Sequence, residues 1–390
     1  MKIALINSQP VDYTIAYANG LAPHAEVTAL LPRDRYTPLR DWIDPRVRLQ
    51  LVDWPRNRSL RNPAFLAGLV RSVRTLRPDV LHLLSNTTLW LNAAMPFWRV
   101  PTVVTTVHDV TLHPGDRDTA QLPGWGARLM ARQSGHLVVH GPGLQTAAAE
   151  SFAKPRDRVH VLQHPAITRY AELARAFGLR RRYGPDAFVV LLFGRIYAYK
   201  GLGTLIRAEA EIGHTLPGLR MVIAGRGDDP RELSVMMGDP DRYDIHAGYV
   251  ADREVAQLFT DADVVVLPYD EASQSGVLHV AATFGKPVVV TDVGELRATV
   301  QAGDFGRVVQ PGAHRALARA LRGLASDPGE RARLGRNAQA WSQGPNAPET
   351  IGASAAALYR ELMVRHDTAS SERMRGTADD PNCPDRRFIP

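Results

Sequence analysis

The sequence predicts an α/β protein made of two Rossmann-like, doubly wound domains facing a central cleft. Three observations carry this. Two successive series of short apolar strands alternate with helix-length segments, a charged stretch closed by Gly-Pro separates the series, and 390 residues suit two cores better than one. Alternation of this kind predicts right-handed βαβ units and parallel sheets.

In the first series the strands are Lys2–Ile6, Ala25–Leu30, Val47–Val52, Asp79–Leu84, Pro101–Val107, His136–His140 and Val159–Leu162. Pro63–Arg77 and Pro123–Gln133 are the clearest helices between them. The first turn, Asn7-Ser8-Gln9-Pro10, lacks the glycine fingerprint of a dinucleotide site, so this half is assigned to an acceptor. Residues Arg169–Ala187 read as a charged connecting helix. The second series has strands Phe188–Phe193, Arg220–Ala224, Tyr243–Ala247, Ala262–Leu267, Pro287–Thr291 and Gly306–Val309, then two amphipathic helices and a last helix near Glu349–Arg365. The expected division is an N-terminal domain over residues 1–166 and a C-terminal domain over 167–348. The helix at 349–365 crosses back to the first domain, and a tail over 366–390, without apolar periodicity, is expected to be disordered.

Composition bounds the chemistry. Hydrophobic residues at 45% and charged residues at 22% are those of a globular chain, and no apolar run reaches the roughly 18–20 residues of a membrane helix. The sequence starts directly on a strand, which reads as cytoplasmic. The lone Cys383 excludes internal disulfides and cysteine metal sites. A net charge of +7 suits an anionic substrate or surface, but no nucleic-acid-reading pattern accompanies it.

The stretch Tyr269–Asp292 runs strand, polar small-residue turn, helix and strand. Gln274, Ser275 and Gly276 fall where the helix begins, so backbone N–H groups and the helix dipole can grip a phosphate there. Asp270 and Glu271 precede that turn, placed to hold sugar hydroxyls or to cap the helix. Gly194-Arg195 ends one strand and Lys200-Gly201 opens the next helix; the two cations can converge on a diphosphate and neutralise the charge growing on a departing nucleotide. Gly225 and Arg226 lie at a glycine-rich strand exit, and Tyr249 follows a similar exit whose loop can border a base. In the first half, His108-Asp109 and His113 sit at a strand's C-terminal end, facing the expected cleft, where they can contact sugar or acceptor. The D-x-D patterns Asp261-Ala262-Asp263 and Asp239-Pro240-Asp241 read more simply as strand and turn boundaries. No metal or other cofactor is expected.

Together these motifs resemble the retaining glycosyltransferases of the two-domain GT-B fold, the family 4 group also called group 1 glycosyl transferases, and within it a subset with Q-S-G-V. The resemblance spans His108-Asp109, Gly194-Arg195…Lys200-Gly201, Ala224-Gly225-Arg226-Gly227, Gly248-Tyr249-Val250, the opening of the Tyr269 stretch and Gly285-Lys286-Pro287. It implies that Arg195 and Lys200 bind a donor diphosphate without metal, and that His108 and Glu271 or Asp270 lie near the transferred sugar. It also implies that Ser275, Gly276, Val277 and Leu278 offer backbone N–H groups to phosphate. Two features depart from the family pattern. Its two glutamates fall on Ala272 and Val280, and its G-G-L-P-E reads Gly294-Glu295-Leu296-Arg297-Ala298.

The function expected is transfer of a hexose from a nucleotide diphosphate sugar to a glycan or lipid-linked acceptor. Alternatives are a non-catalytic sugar-nucleotide- or glycan-binding subunit and a nucleotide-sugar 2-epimerase. Arg56, Arg58, Arg61, Arg71, Arg74 and Arg77, with Phe65 and Leu69, form a basic segment suited to peripheral contact with the inner membrane face, or an ordinary solvated helix.

Overall fold

The computed structural model describes residues 1–56, 59–110 and 124–378. Seven strands, β1 (Lys2–Ile6), β2 (Glu26–Pro32), β3 (Arg48–Val52), β4 (Val80–Leu83), β5 (Thr102–Thr106), β6 (His136–Val139) and β7 (Val159–Val161), form the first sheet. Their order is β3-β2-β1-β4-β5-β6-β7, and every pairing is parallel. The second sheet takes β8 (Phe188–Phe193), β9 (Leu219–Gly225), β10 (Tyr243–Ala247), β11 (Val264–Leu267), β12 (Val288–Thr291) and β13 (Gly306–Val309) in the order β10-β9-β8-β11-β12-β13, again all parallel.

Strand side chains alternate between two covered faces, as a parallel sheet flanked by helices requires. Along β8, Val189 and Leu191 enter one apolar cluster with Phe259 and Leu278, while Val190 and Leu192 enter another with Leu205 and Leu321. In each sheet the strand order reverses once, between β1 and β4 and between β8 and β11, and ligands of open α/β sheets bind in the crevice at such reversals.

The two domains are joined by partly buried polar contacts. Arg169, 7% exposed at its side chain, forks onto Asp12 of the first domain at 2.7 Å and Asp252 of the second at 2.5 Å. Burial opposes its charge, but the two carboxylates outweigh that and hold its pKa above the usual arginine value. The last helix returns to the first domain, where the Tyr359 hydroxyl meets Tyr17 Oη at 2.6 Å and His82 Nδ1 at 2.5 Å.

Three expectations are corrected. The connecting helix runs only over Arg169–Ala176, with left-handed backbone at Gly178 just beyond it. The chain after it is held by arginines, Arg181 bonding Asp263 at 2.9 Å and Arg182 bonding Asp261 at 2.7 Å, so both carboxylates of that D-x-D pattern anchor the connector. The last helix extends over Pro348–Ala378, past the expected end at Arg365: residues 366–378 contain no proline and several good helix formers, and an established helix propagates through such a stretch. Residues 379–390 lie outside the described residues. Finally, Leu69 is 3% exposed in the core and so does not face outward as a lipid contact would require, while the half-buried Phe65 packs on Trp54 and Trp90 at ring distances of 5.4 and 5.2 Å.

Candidate functional site

The site is built on the two loops that leave the second sheet at its reversal, after β8 and β11. The β8 loop needs backbone that only glycine tolerates well. Gly225 sits at φ +145°, and a Cβ there would lie 1.6 Å from the Gly194 carbonyl oxygen, so the two strand exits can pack backbone to backbone only without side chains. Gly194 itself faces Val277 of the helix Gly276–Thr283, a built Cβ meeting Val277 Cγ2 at 3.4 Å. The β8 and β11 loops therefore touch, and Arg195 directly follows Gly194 at that junction.

Tyr269 ties the site together. Its ring lies under the Lys200 ammonium at 3.6 Å, a cation–π contact, and its hydroxyl meets Ser275 Oγ at 3.2 Å. Burial pushes the Tyr269 hydroxyl up to about 12, while the Ser275 bond and the Arg195 charge pull the other way. Lys200, Arg195 and Ser275 thus share one neighbour. Ser275 is the N-cap of the Gly276 helix, whose first N–H groups have no acceptor within the helix and carry its positive dipole end. Leu278 differs from Gly276 and Val277: its side chain is 1% exposed in the core and its N–H bonds the Ser275 carbonyl at 3.2 Å.

Asp270 and Glu271 are exposed on the rim of this loop. Burial raises the Asp270 pKa, Arg207 lowers it and Glu271 raises it again. Arg226 is exposed beside Gly225, and Tyr249, 79% exposed, stands on the loop after β10. Val280, where the family pattern has a carboxylate, is 4% exposed in the apolar cluster, and Ala272 packs against that cluster.

Across the cleft, His108 ends β5. Both its ring nitrogens are engaged, Nε2 with the Leu84 carbonyl at 2.9 Å and Nδ1 with His140 Nε2 at 3.2 Å. Burial pushes its pKa down, partly offset by the Leu84 bond and Asp109. His113 lies outside the described residues.

Sequence reasoning missed the histidines and the Glu295 contact that join Gln274 and Ser275 at the cleft's base. A cavity of about 190 Å³ between the domains is lined by His140 and His164 from the first and by Gln274, Ser275, His279 and Glu295 from the second. His164 stacks on His279 at 4.2 Å and 10°. Glu295 Oε1 accepts the Leu144 N–H at 3.1 Å, at the start of the helix Pro142–Ser151. The only signal for these contacts was three histidines at strand ends or helix starts, which periodicity reads as core. No group of His, Cys, Asp and Glu suited to a metal ion occurs among the described residues, and no helix among them is long and apolar enough to cross a membrane.

Residues 10–165 match the model of a glycosyl transferase 4-like domain and residues 187–327 that of glycosyl transferases group 1. The chain is 32% identical over 310 residues to a D-inositol 3-phosphate glycosyltransferase of Xylanimonas cellulosilytica, covering 72% of each chain. It is 28% identical over 262 residues to an alpha-D-kanosaminyltransferase of Streptomyces kanamyceticus, covering 65% of this chain and 67% of that protein. Among solved structures, sucrose-phosphate synthase of Thermosynechococcus elongatus superposes with a TM-score of 0.70 at 19% identity, over 94% of this chain and 100% of that one. The Anabaena protein HepE in complex with UDP-glucose superposes with a TM-score of 0.69 at 20% identity, over 93% and 100%. The architecture is GT-B, and the chain belongs to the group 1 glycosyl transferases, enzymes of sugar transfer.

Proposed function

We propose that the protein is a retaining glycosyltransferase that moves a hexose from a nucleotide diphosphate sugar to a glycan or lipid-linked acceptor. One observation carries the reading: Arg195, Lys200 and the start of the Gly276 helix converge around Tyr269 at the reversal of the second sheet. Two fixed cations and a helix N-terminus suit the charge that develops on a departing diphosphate, and they supply it without a metal. In this reading Gly194, Gly225, Arg226 and Tyr249 border the nucleotide, Asp270 or Glu271 holds sugar hydroxyls, and His108 and Asp109 close over the transferred sugar. The leaving phosphate then accepts the acceptor's proton on the face it departs from, which retains configuration.

The acceptor enters from the first domain, working at the cytoplasmic membrane face. That contact would use the exposed arginines 71, 74 and 77 around a groove of about 870 Å³ lined also by Leu66, Val70 and Phe97, the last 55% exposed.

The test is incubation with labelled nucleotide sugars, with and without lipid-linked acceptors. Nucleotide release from one donor, with product retaining anomeric configuration, is expected. Interconversion of the sugar nucleotide without acceptor would point to an epimerase instead, and no turnover or binding of any common donor would sink the proposal.

A further inference from the structure

His108 and His140 face each other with a proton missing between them. A backbone carbonyl can only accept, so the 2.9 Å bond to the Leu84 oxygen places a hydrogen on His108 Nε2, and the 3.0 Å bond to the Leu162 oxygen places one on His140 Nδ1. The remaining nitrogens, His108 Nδ1 and His140 Nε2, stand 3.2 Å apart. In two neutral rings both are lone pairs. One added proton turns that repulsion into an N–H···N bond, and both carbonyls are already oriented to stabilise the resulting cation; a second proton would have no acceptor.

The surroundings set when that proton is present. Tyr13 covers the pair edge-on, at 4.6 Å from His108 and 5.2 Å from His140. His164 packs on His140 at 5.3 Å and opposes its charge, and burial followed by the charge of the pair lowers the pKa of His82 on β4 and of His279 on the Gly276 helix. Among the described residues, Asp109 is the acidic neighbour that favours protonation of both rings. Burial in this apolar and histidine-rich setting opposes a charge in the empty cleft. His140, however, lines the same cavity as Gln274 and Ser275, the loop that begins the Gly276 helix. An anion held on that loop supplies the missing counter-charge.

We infer that His108 and His140 form a one-proton site, neutral in the empty cleft and holding a single shared positive charge when a nucleotide diphosphate is bound. Donor binding takes one proton from solvent and product departure returns it. His140 is on this account a positioning residue: it gives His108 a partner nitrogen with which to share the charge. The inference rests on the donor-site reading above.

The experiment is calorimetry of the full chain with UDP in buffers of different ionisation enthalpy at about pH 8, above the UDP phosphate pKa of about 6, with inorganic pyrophosphate, which still holds a proton of its own at that pH, as a base-free probe of binding alone. Uptake of about one proton is expected, with Kd weakening about tenfold per pH unit as pH rises between the pair's pKa in the empty cleft and its pKa in the liganded one. His140→Asn presents an amide donor to His108 without an added proton, so its binding should lose both effects. Ring-nitrogen NMR of histidine-labelled protein supplies a readout independent of binding, with His108 expected as the Nε2–H tautomer, His140 as Nδ1–H, and one shared proton gained on acidification. Binding without proton uptake, or uptake unchanged in His140→Asn, overturns the inference while leaving the donor reading intact. Absence of binding by either probe overturns the donor reading and the linkage with it. Other tautomers, or two independent titrations, overturn the pair itself.

Discussion

The Glu295 carboxylate, carried by the second domain, accepts the Leu144 N–H of the first at 3.1 Å and caps the helix Pro142–Ser151 from across the cleft. No side chain of that helix's own N-cap, Gly141, does so. A carboxylate at this helix end satisfies an orphan N–H and sits in the favourable field of the dipole. The contact therefore couples helix stability to domain docking.

Glu295→Ala should cost about 1 kcal/mol, the usual value of a lost cap, and lower Tm by a few degrees. Gly141→Ala should cost more, because its Cβ would lie 2.1 Å from Glu295 Cδ and the domains could close only by expelling the carboxylate. Small-angle scattering of Gly141→Ala should show a more open molecule. Unchanged dimensions and an unchanged Tm in both variants would refute the docking role.

Arg169 makes the second clasp. Arg169→Met leaves Asp12 and Asp252 facing each other without their cation, and these side chains are 25% and 36% exposed. Because water reaches both, the expected loss is about 2–3 kcal/mol, below the 3–5 kcal/mol of a fully buried broken pair. Arg169→Lys should recover only part of it, since one ammonium cannot fork onto both carboxylates. Urea unfolding of the two variants checks this, and a loss under about 0.5 kcal/mol in Arg169→Met would show the clasp to be solvated.

Most of the scaffold was legible because parallel strands buried on both faces are continuous apolar runs: each of the thirteen strands falls within two residues of a run visible in the sequence. The helix start at Ser275-Gly276 was legible for a local reason, since a strand exit followed by Gln274-Ser275-Gly276 has few structural alternatives. What escaped was long-range. Glu295 meets Leu144 across 151 positions and His164 stacks on His279 across 115, and no periodicity in either segment refers to the other. The end of the connecting helix escaped for a different reason: the charged run through Arg181 and Arg182 reads as the solvated side of a helix until Asp261 and Asp263 are brought beneath it.

Lys200 stands 3.6 Å above Tyr269, whose hydroxyl meets Ser275. Lys200→Ala and Arg195→Ala should each lower kcat about 100- to 1000-fold, the range for removing one group that stabilises developing charge, with Tm within about 1 °C of the parent. Tyr269→Phe keeps the ring beneath the ammonium and loses only the hydroxyl bond, so its effect should stay within about tenfold. Turnover near the parent level in both cation variants would remove them from the chemistry.

Acid stability follows from the buried histidines. Burial pushes His82 and His279 down to about 3, each from an ordinary value near 6.5. A depressed histidine pKa means that below about pH 6.5 the unfolded chain binds protons the folded chain refuses, so stability is full above that pH and falls as acid is added. Each group contributes at most about 1.4 kcal/mol per pH unit, and the two together up to about 4 kcal/mol between pH 6.5 and 5. His136, buried at the start of β6 and pushed down to about 4 by burial and then by His160 and Arg158, acts in the same window. Paired carboxylates act in a separate window: the Glu330 pKa, held down to about 2 chiefly by Arg333, matters only below about pH 4.5. Urea midpoints measured from pH 8 to 5 should therefore stay flat to about 6.5 and then drop, with the drop shallower in His279→Asn. A flat profile down to pH 5 would mean that these rings take up protons in the folded protein.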